Sequence, residues 1–282
     1  LLNYPARQNA TYDNEVLKKG TATVSIKISC PSQVERDSWG DYFFAKSLGI
    51  ELNKIGYDVN IDCADTWYRE HSPAEVILVL KGLGNFQAEK VTNRCICWLI
   101  SHPEDFREED YLNYSHIFVA SKLFHSKLSS TLQQKSTILL QCTDPQIFSS
   151  GISKTESKRP IFVGNTRGIY RPTIKKCIEE KIDFDLYGGG WDKFLTPQEL
   201  SEHLISTTIP NDKLGQAYSS SGIVLNDHWE EMKEHGFISN RVFDAVAAGA
   251  LVISDYVRGM EDIFSEVVIV FRDGELLQAA IQ

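Results

Sequence analysis

Gly164-Asn165-Thr166-Arg167 directly follows the apolar run Ile161–Val163. If that run is a strand, the four residues occupy its carboxyl end, where α/β sheets bind ligands. Gly164 allows close backbone approach, and Arg167 offers a forked guanidinium suited to phosphate oxygens, with Arg171 four residues on, at the start of the next helix. The same residues also suit a plain polar turn with solvated arginines. Asp244 is a second centre. One turn into a helix, its carboxylate can accept two hydrogen bonds from a vicinal diol, and Asn240 and Arg241 just before it lie at a helix N-terminus, which favours an anion. The plainer alternative makes Asp244 a surface acid that complements the helix dipole and pairs with Arg241. A third centre is Ser38-Trp39-Gly40-Asp41, between the first strand and its helix. Asp41 suits either a helix N-cap or a general base toward a hydroxyl.

These residues need a scaffold that presents strand ends to one crevice, and the pattern supplies two such units. Apolar strands alternate with longer helical stretches, the sign of a doubly wound parallel sheet. Strands are expected at Thr23–Ile28, Asp58–Asp62, Val76–Leu80, Arg94–Leu99, His116–Ala120 and Thr137–Leu140. Between the first two, Tyr42 to Ile55 sets Phe43, Phe44, Leu48, Leu52 and Ile55 near a 3.6-residue stripe that Gly56 ends. The polar stretch Gly151–Pro160 reads as a linker. The alternation then restarts: strand Ile161–Val163, helix Tyr170–Lys181, strand Phe184–Tyr187, helix Asn211–Ser219, strand Ile223–Leu225, helix Asn240–Ala248, strand Leu251–Ile253. The fold class is therefore α/β with two Rossmann-like domains, residues 1–152 and 153–282.

Composition narrows the partners. A net charge of −9 argues against a broad nucleic-acid surface, while leaving room for a local basic pocket. The longest apolar runs, such as Val76–Leu80, are too short to cross a bilayer, and no signal peptide opens the chain, so a cytoplasmic location is expected, with peripheral contact at the inner face of a membrane as an option. Six cysteines without CxxC spacing are expected as buried free thiols. No Walker A, HExxH, GxSxG or DxD pattern stands out, and Gly82-Leu83-Gly84 reads as a turn. The chain opens Leu-Leu without Met and stops at Gln282, as one module of a longer polypeptide would.

The densest signal is Gly236 to Phe264, GFISNRVFDAVAAGALVISDYVRGMEDIF. Asp244 opens the small-residue helix AVAAG, which should stop at Gly249. An apolar strand follows, then the turn Arg258-Gly259 and the acid Asp262. This order resembles the donor-site segment of GT-B glycosyltransferases, and Arg241 before Val-Phe-Asp is most similar to the CgeB/spore-protein group. The resemblance implies two Rossmann-like domains facing a crevice and transfer of a sugar from a nucleoside diphosphate-sugar to a glycan, lipid-linked glycan or protein, in bacterial surface polysaccharide or glycoprotein assembly. It implies no cofactor and no metal, with arginines and a helix N-terminus meeting the diphosphate. It places Asp244 at the ribose diol, Ile209-Pro210 near the base and the glycine turn Tyr187-Gly188 along the crevice as the second loop of the base slot; Gly164, Asn165, Arg167 and Arg171, by strand-end position and charge, are the expected diphosphate contacts, and Asn240 and Arg241 lie at the helix N-terminus beside Asp244. Gly259 lies along the crevice, and His102, in Ser101-His102-Pro103-Glu104 after a strand, matches a histidine directed at the donor sugar. Asp41 and His102 are the catalytic candidates. One departure stands out: the first Glu of the family's Glu-x7-Glu is replaced by Gly236, flanked by Glu234 and His235. It leaves donor sugar and stereochemistry open and admits a catalytically silent nucleotide- or sugar-binding module as the alternative.

Overall fold

The computed structural model describes residues 22–69, 74–149, 159–272 and 274–281. Among these, twelve strands form two parallel six-stranded sheets. The first sheet comprises β1 (Thr23–Lys27), β2 (Asp58–Asp62), β3 (Val76–Lys81), β4 (Arg94–Leu99), β5 (His116–Val119) and β6 (Ser136–Ile138), in the order β2-β1-β3-β4-β5-β6. In β3, VILVL ahead of Lys81 is a continuous apolar run because both faces are covered. Helix α1 (Gly40–Lys54) covers one face, with Phe44, Leu48 and Leu52 against Val24, Ile26, Leu80 and Trp98. On the other face, Val79, Cys97, Leu99, Ile117 and Val119 meet Phe86, Tyr111, Tyr114 and Phe124, the last on the short helix α2 (Lys122–His125). Helix α3 (Ser130–Gln134) buries Leu132 beside them.

The second sheet comprises β7 (Ile161–Val163), β8 (Asp185–Tyr187), β9 (Leu204–Ser206), β10 (Ile223–Asn226), β11 (Leu251–Asp255) and β12 (Val268–Phe271), in the order β12-β11-β10-β7-β8-β9. Its helices are α4 (Pro172–Glu179), α5 (Pro197–His203), α6 (Asn211–Ser221), α7 (Glu230–His235), α8 (Asn240–Ala247), α9 (Glu261–Phe264) and α10 (Leu277–Ile281). Tyr218 of α6 and Val242 and Ala245 of α8 pack on Val224 and Val252, while Ile174 and Cys177 of α4 pack on Phe162, Leu225 and Ile253. Helix α8 ends as expected: Gly249 has φ +79°, which glycine adopts without the Cβ penalty.

The expected strands are present with ends shifted by a residue or two. Unforeseen are α5 and β9, which follows it with no intervening residue, β12, helix α7 and the short helices α2, α3 and α9. Five of the cysteines are buried thiols; Cys142 is exposed. Residues 151–158 of the expected linker, and the boundary at 152/153, lie outside the described residues. The two units interlock across the described chain. Phe148 is buried in the second core, stacked on Tyr218 with centroids 6.1 Å apart, and Met232 and Phe237 are buried in the first. No helix among the described residues is long and apolar enough to cross a membrane.

Candidate functional site

Strand order locates the crevices. The chain switches direction across the first sheet between β1 and β3, and across the second between β7 and β10. At such points the loops leaving adjacent strands diverge and leave room for a ligand. Asp41, in the first turn of α1, lies at the first switch point: its Oδ2 is 3.0 Å from where a Cβ would sit on Gly82, the residue after β3. The cap position belongs to Trp39, so Asp41 is not the N-cap. Desolvation raises the Asp41 pKa, opposed by His102 and by Arg167 of the other domain. His102 and Arg167 are thus both within electrostatic reach of Asp41.

His102 leaves β4 in the left-handed region, φ 54° and ψ 56°. Its Nδ1 is 2.7 Å from Glu104 Oε1, and its ring is tilted against Trp229 at 6.2 Å. With Nδ1–H donating to Glu104, Nε2 carries the lone pair. Glu104 also lines a polar cavity of about 450 Å³ with Asn85, Gln87, Asp105, Arg107 and Asp110.

Across the crevice, the loops after β7 and β8 are stitched together. Gly164 N–H donates to Tyr187 O at 2.8 Å, Thr166 N–H to Gly189 O at 3.1 Å, and Gly189 N–H to Asn165 Oδ1 at 2.8 Å. Gly188, at φ +134°, must be glycine, because a Cβ there would collide with the Gly164 carbonyl. Arg167 also has a left-handed backbone, φ 56°, and its guanidinium lies over the Trp229 ring at 5.2 Å. Desolvation, with Arg171 and Arg241 nearby, lowers its pKa to about 10. Among the described non-glycine residues, positive φ occurs only at His102, Arg167 and Lys181. Two of the three therefore face this crevice; such conformations cost about 1–3 kcal/mol each and concentrate at functional sites.

Arg171 and Arg241 are held differently. Arg171, 3% exposed, is ion-paired with Asp227 and donates to Asn165 O at 3.1 Å, so its guanidinium braces the loop from beneath rather than standing free for a phosphate. Arg241 donates from Nη1 to Asn226 Oδ1 at 2.7 Å, and its Nη2 is 2.9 Å from where a Cβ would sit on Gly164. Both guanidiniums lie over the Phe162 ring, at 5.4 and 5.1 Å. Asn226 Oδ1 also accepts from Ser239 Oγ at 3.0 Å, and Ser239 N–H donates to His228 Nε2 at 2.9 Å. That bond fixes the His228 tautomer, leaving Nδ1–H to donate to Asp255 at 2.6 Å.

Asp244 accepts from Thr143 Oγ1 at 2.7 Å and from Asn240 Nδ2 at 3.0 Å, and desolvation raises its pKa to about 7. Half-buried, it bonds to Thr143 and Asn240 rather than forming the expected ion pair with Arg241. Ile209 is half-buried and Pro210 caps α6; Ser206, just upstream, accepts from Gly188 N–H, so the two loops expected at the base are neighbours. Gly259 lies elsewhere, lining a cavity of about 280 Å³ between the domains with Lys122, Leu123, Gly236 and Arg258. At the departure from the family pattern, a Cβ on Gly236 would press on Ser121 Oγ and Arg258 O, and the His235 ring meets Phe124 edge-on.

Sequence reasoning passed over Asp227, Trp229, Glu104 and Thr143. The first two follow β10, at the same kind of strand end that singles out Gly164, and Glu104 stands two residues after His102. Thr143 meets Asp244 across 101 residues, which no local pattern marks.

Residues 168–282 match the family model described as "Glycosyl transferase-like". Among solved structures, the chain is similar to an alpha-glucosyltransferase in complex with UDP, with TM-score 0.55 and 11% identity over 82% of this chain and 80% of that one. It is also similar to AviGT4, a glycosyltransferase involved in avilamycin A biosynthesis, with TM-score 0.59 and 11% identity over 92% of this chain and 87% of that one. No curated protein matches the chain. Two facing parallel sheets with their switch points opposed are the GT-B fold of these solved structures, and the match to the Glycosyl transferase-like model begins at residue 168, in the loop after β7.

Proposed function

We propose that the protein is a glycosyltransferase that moves a sugar from a nucleoside diphosphate-sugar to an acceptor hydroxyl. The observation that carries this reading is the convergence of Arg167 with Asp41 and His102 across two opposed switch points. Three guanidiniums, Arg167, Arg171 and Arg241, against the Asp227 carboxylate leave a positive surplus that suits a diphosphate. Arg167 would contact the phosphates directly, with Arg241 and the backbone at Gly164 and Asn165 beside it; Arg171 would hold the loop. Asp244 and Asn240 would take the ribose, and the Tyr187-Gly188 and Ile209-Pro210 loops the base.

In the reaction, the acceptor oxygen attacks the anomeric carbon as the bond to the diphosphate breaks. The acceptor proton passes to Asp41, with His102 Nε2 as the next candidate, and the nucleoside diphosphate leaves against the guanidiniums. The polar cavity beside Glu104 offers room for the hydroxyl-bearing part of a glycan, lipid-linked glycan or protein acceptor. We place the reaction in bacterial surface polysaccharide or glycoprotein assembly and, within the superfamily, near the CgeB/spore-protein group. No metal is assigned a role.

The alternative, a silent nucleotide- or sugar-binding module, draws on one observation: Gly236 in place of the first family acid. A thermal-shift panel of UDP-, dTDP-, GDP- and CMP-sugars, followed by donor hydrolysis with the best binder, separates the two. Stabilisation with turnover supports the transferase, stabilisation without turnover the module, and no stabilisation by any nucleotide-sugar overturns both.

A further inference from the structure

Segment 141–144, on its way from β6 to the second core, is bonded to both domains. Gln141, 8% exposed, donates from Nε2 to Ile100 O at 2.9 Å and to Ile238 O, just ahead of α8, at 3.0 Å. Two residues on, Thr143 Oγ1 donates to Asp244 Oδ1 at 2.7 Å. Asp144 returns to the first domain, accepting from Ser47 Oγ of α1 at 2.6 Å.

A carboxylate that binds a vicinal diol accepts one hydroxyl on each oxygen, and here a threonine hydroxyl already bonds Oδ1. Beside it, Asn240 donates to Oδ2 while its own Oδ1 is buried without a hydrogen-bond partner. The Asn240–Asp244 pair thus combines an acceptor taken by the chain's own hydroxyl with an acceptor still unmet. A nucleoside offers the groups for both: a hydroxyl to replace Thr143 and a further O–H or N–H for Asn240.

We propose that Thr143 is a competitor built into the donor site: its hydroxyl and a ribose hydroxyl make the same bond to Asp244, so nucleotide binding displaces Thr143 and loosens residues 142–144, leaving Gln141 still bonded to Ile238 O. The inference rests on the proposed ribose role of Asp244. Three consequences are specific to it. Removing the hydroxyl should strengthen nucleotide binding, which a merely supporting residue would not do; Thr143→Ser should behave as wild type; and residues 142–144 should loosen once the bond is lost. Cys142, the exposed thiol between Gln141 and Thr143, reports that loosening.

The test is isothermal calorimetry with UDP, dTDP, GDP and ADP on wild type, Thr143→Val, Thr143→Ser and Asp244→Asn, beside maleimide labelling of Cys142 without nucleotide. For the nucleotide that binds, Thr143→Val should bind about three- to tenfold tighter, the worth of one neutral hydrogen bond, and its Cys142 should label several-fold faster. Equal or weaker binding by Thr143→Val, with Asp244→Asn still impaired, overturns the competitor and leaves the ribose role standing. Unchanged labelling in Thr143→Val overturns the claim that this bond holds residues 142–144. If Asp244→Asn binds as wild type does, or no nucleotide binds wild type, the ribose role falls and the competitor with it.

Discussion

The two walls of the crevice are built in opposite ways. On the second-domain wall, the polar side chains are joined in a chain of bonds: Arg171 to Asp227, Arg241 to Asn226, Asn226 to Ser239, Ser239 to His228 and His228 to Asp255. Asn226 and Asp227 are 0% and 2% exposed. On the first-domain wall, Asp41 has no hydrogen-bond partner among the described residues, and His102 is bonded only to the more exposed Glu104. A buried network of hydrogen bonds, with Asp227 Oδ2 its one unmet carboxylate oxygen, holds its shape when a charged ligand arrives, which favours a binding surface. A desolvated carboxyl without committed partners retains its capacity to take a proton, which favours a reactive one. The difference assigns grip to one wall and proton transfer to the other.

The strongest way to break that assignment is Asp41→Asn. Turnover should fall by about 10²–10⁴-fold, the worth of a positioned general base, with nucleotide affinity and melting temperature nearly unchanged. A steady-state assay on folded protein checks it. If turnover stays within a few-fold of wild type, the proton passes elsewhere, with His102 the group to change next.

The second wall should respond in the opposite manner. Arg171→Met strands the Asp227 carboxylate in the interior and should cost about 3–5 kcal/mol of stability in a urea titration. A loss below about 1 kcal/mol would mean that the pair is not buried as described. Arg167→Ala should leave stability near wild type, because Arg167 makes no ion pair or hydrogen bond among the described residues and only lies over the Trp229 ring, yet weaken nucleoside diphosphate binding by roughly ten- to a hundredfold. Equal affinity in that variant would remove Arg167 from the phosphates.

The contrast between walls also marks what the sequence disclosed. Parallel strands covered on both faces are apolar runs, so Val76–Leu80 and Leu251–Ile253 stand out in the bare chain. Strand β9 escapes because Leu204-Ile-Ser continues straight from α5, without turn residues; the Thr196 and Glu199 capping box that starts α5 was the available signal. At the site, residue types at strand ends could be read, but not what each side chain faces. Arg167 and Arg171 look alike as arginines four residues apart; a left-handed backbone places one at the crevice, while Asp227, on another strand, captures the other. Thr143 is silent in the sequence because its importance comes from a contact with Asp244 in the other domain.

The smallest effect concerns pH. The folded chain holds the Asp244 proton more tightly than the unfolded chain does, with a pKa raised to about 7 by burial. Stability from this residue is therefore present at low pH and lost as pH rises from about 4 through about 7. Asp244→Asn should raise the melting temperature at pH 8, where the new amide can donate to the unmet Asn240 Oδ1, and the gain should shrink toward pH 5. A gain independent of pH would show that Asp244 does not titrate there.

The division of the crevice into a gripping and a reacting wall is tested most directly by nucleoside diphosphate release from UDP-, dTDP- and GDP-sugars, measured beside equilibrium binding of the same donors to wild type, Arg167→Ala and Asp41→Asn. Wild type should bind and turn over at least one donor, Arg167→Ala should lose binding, and Asp41→Asn should bind as wild type while turnover collapses. Turnover undiminished in Asp41→Asn together with wild-type binding in Arg167→Ala would contradict the account on both walls.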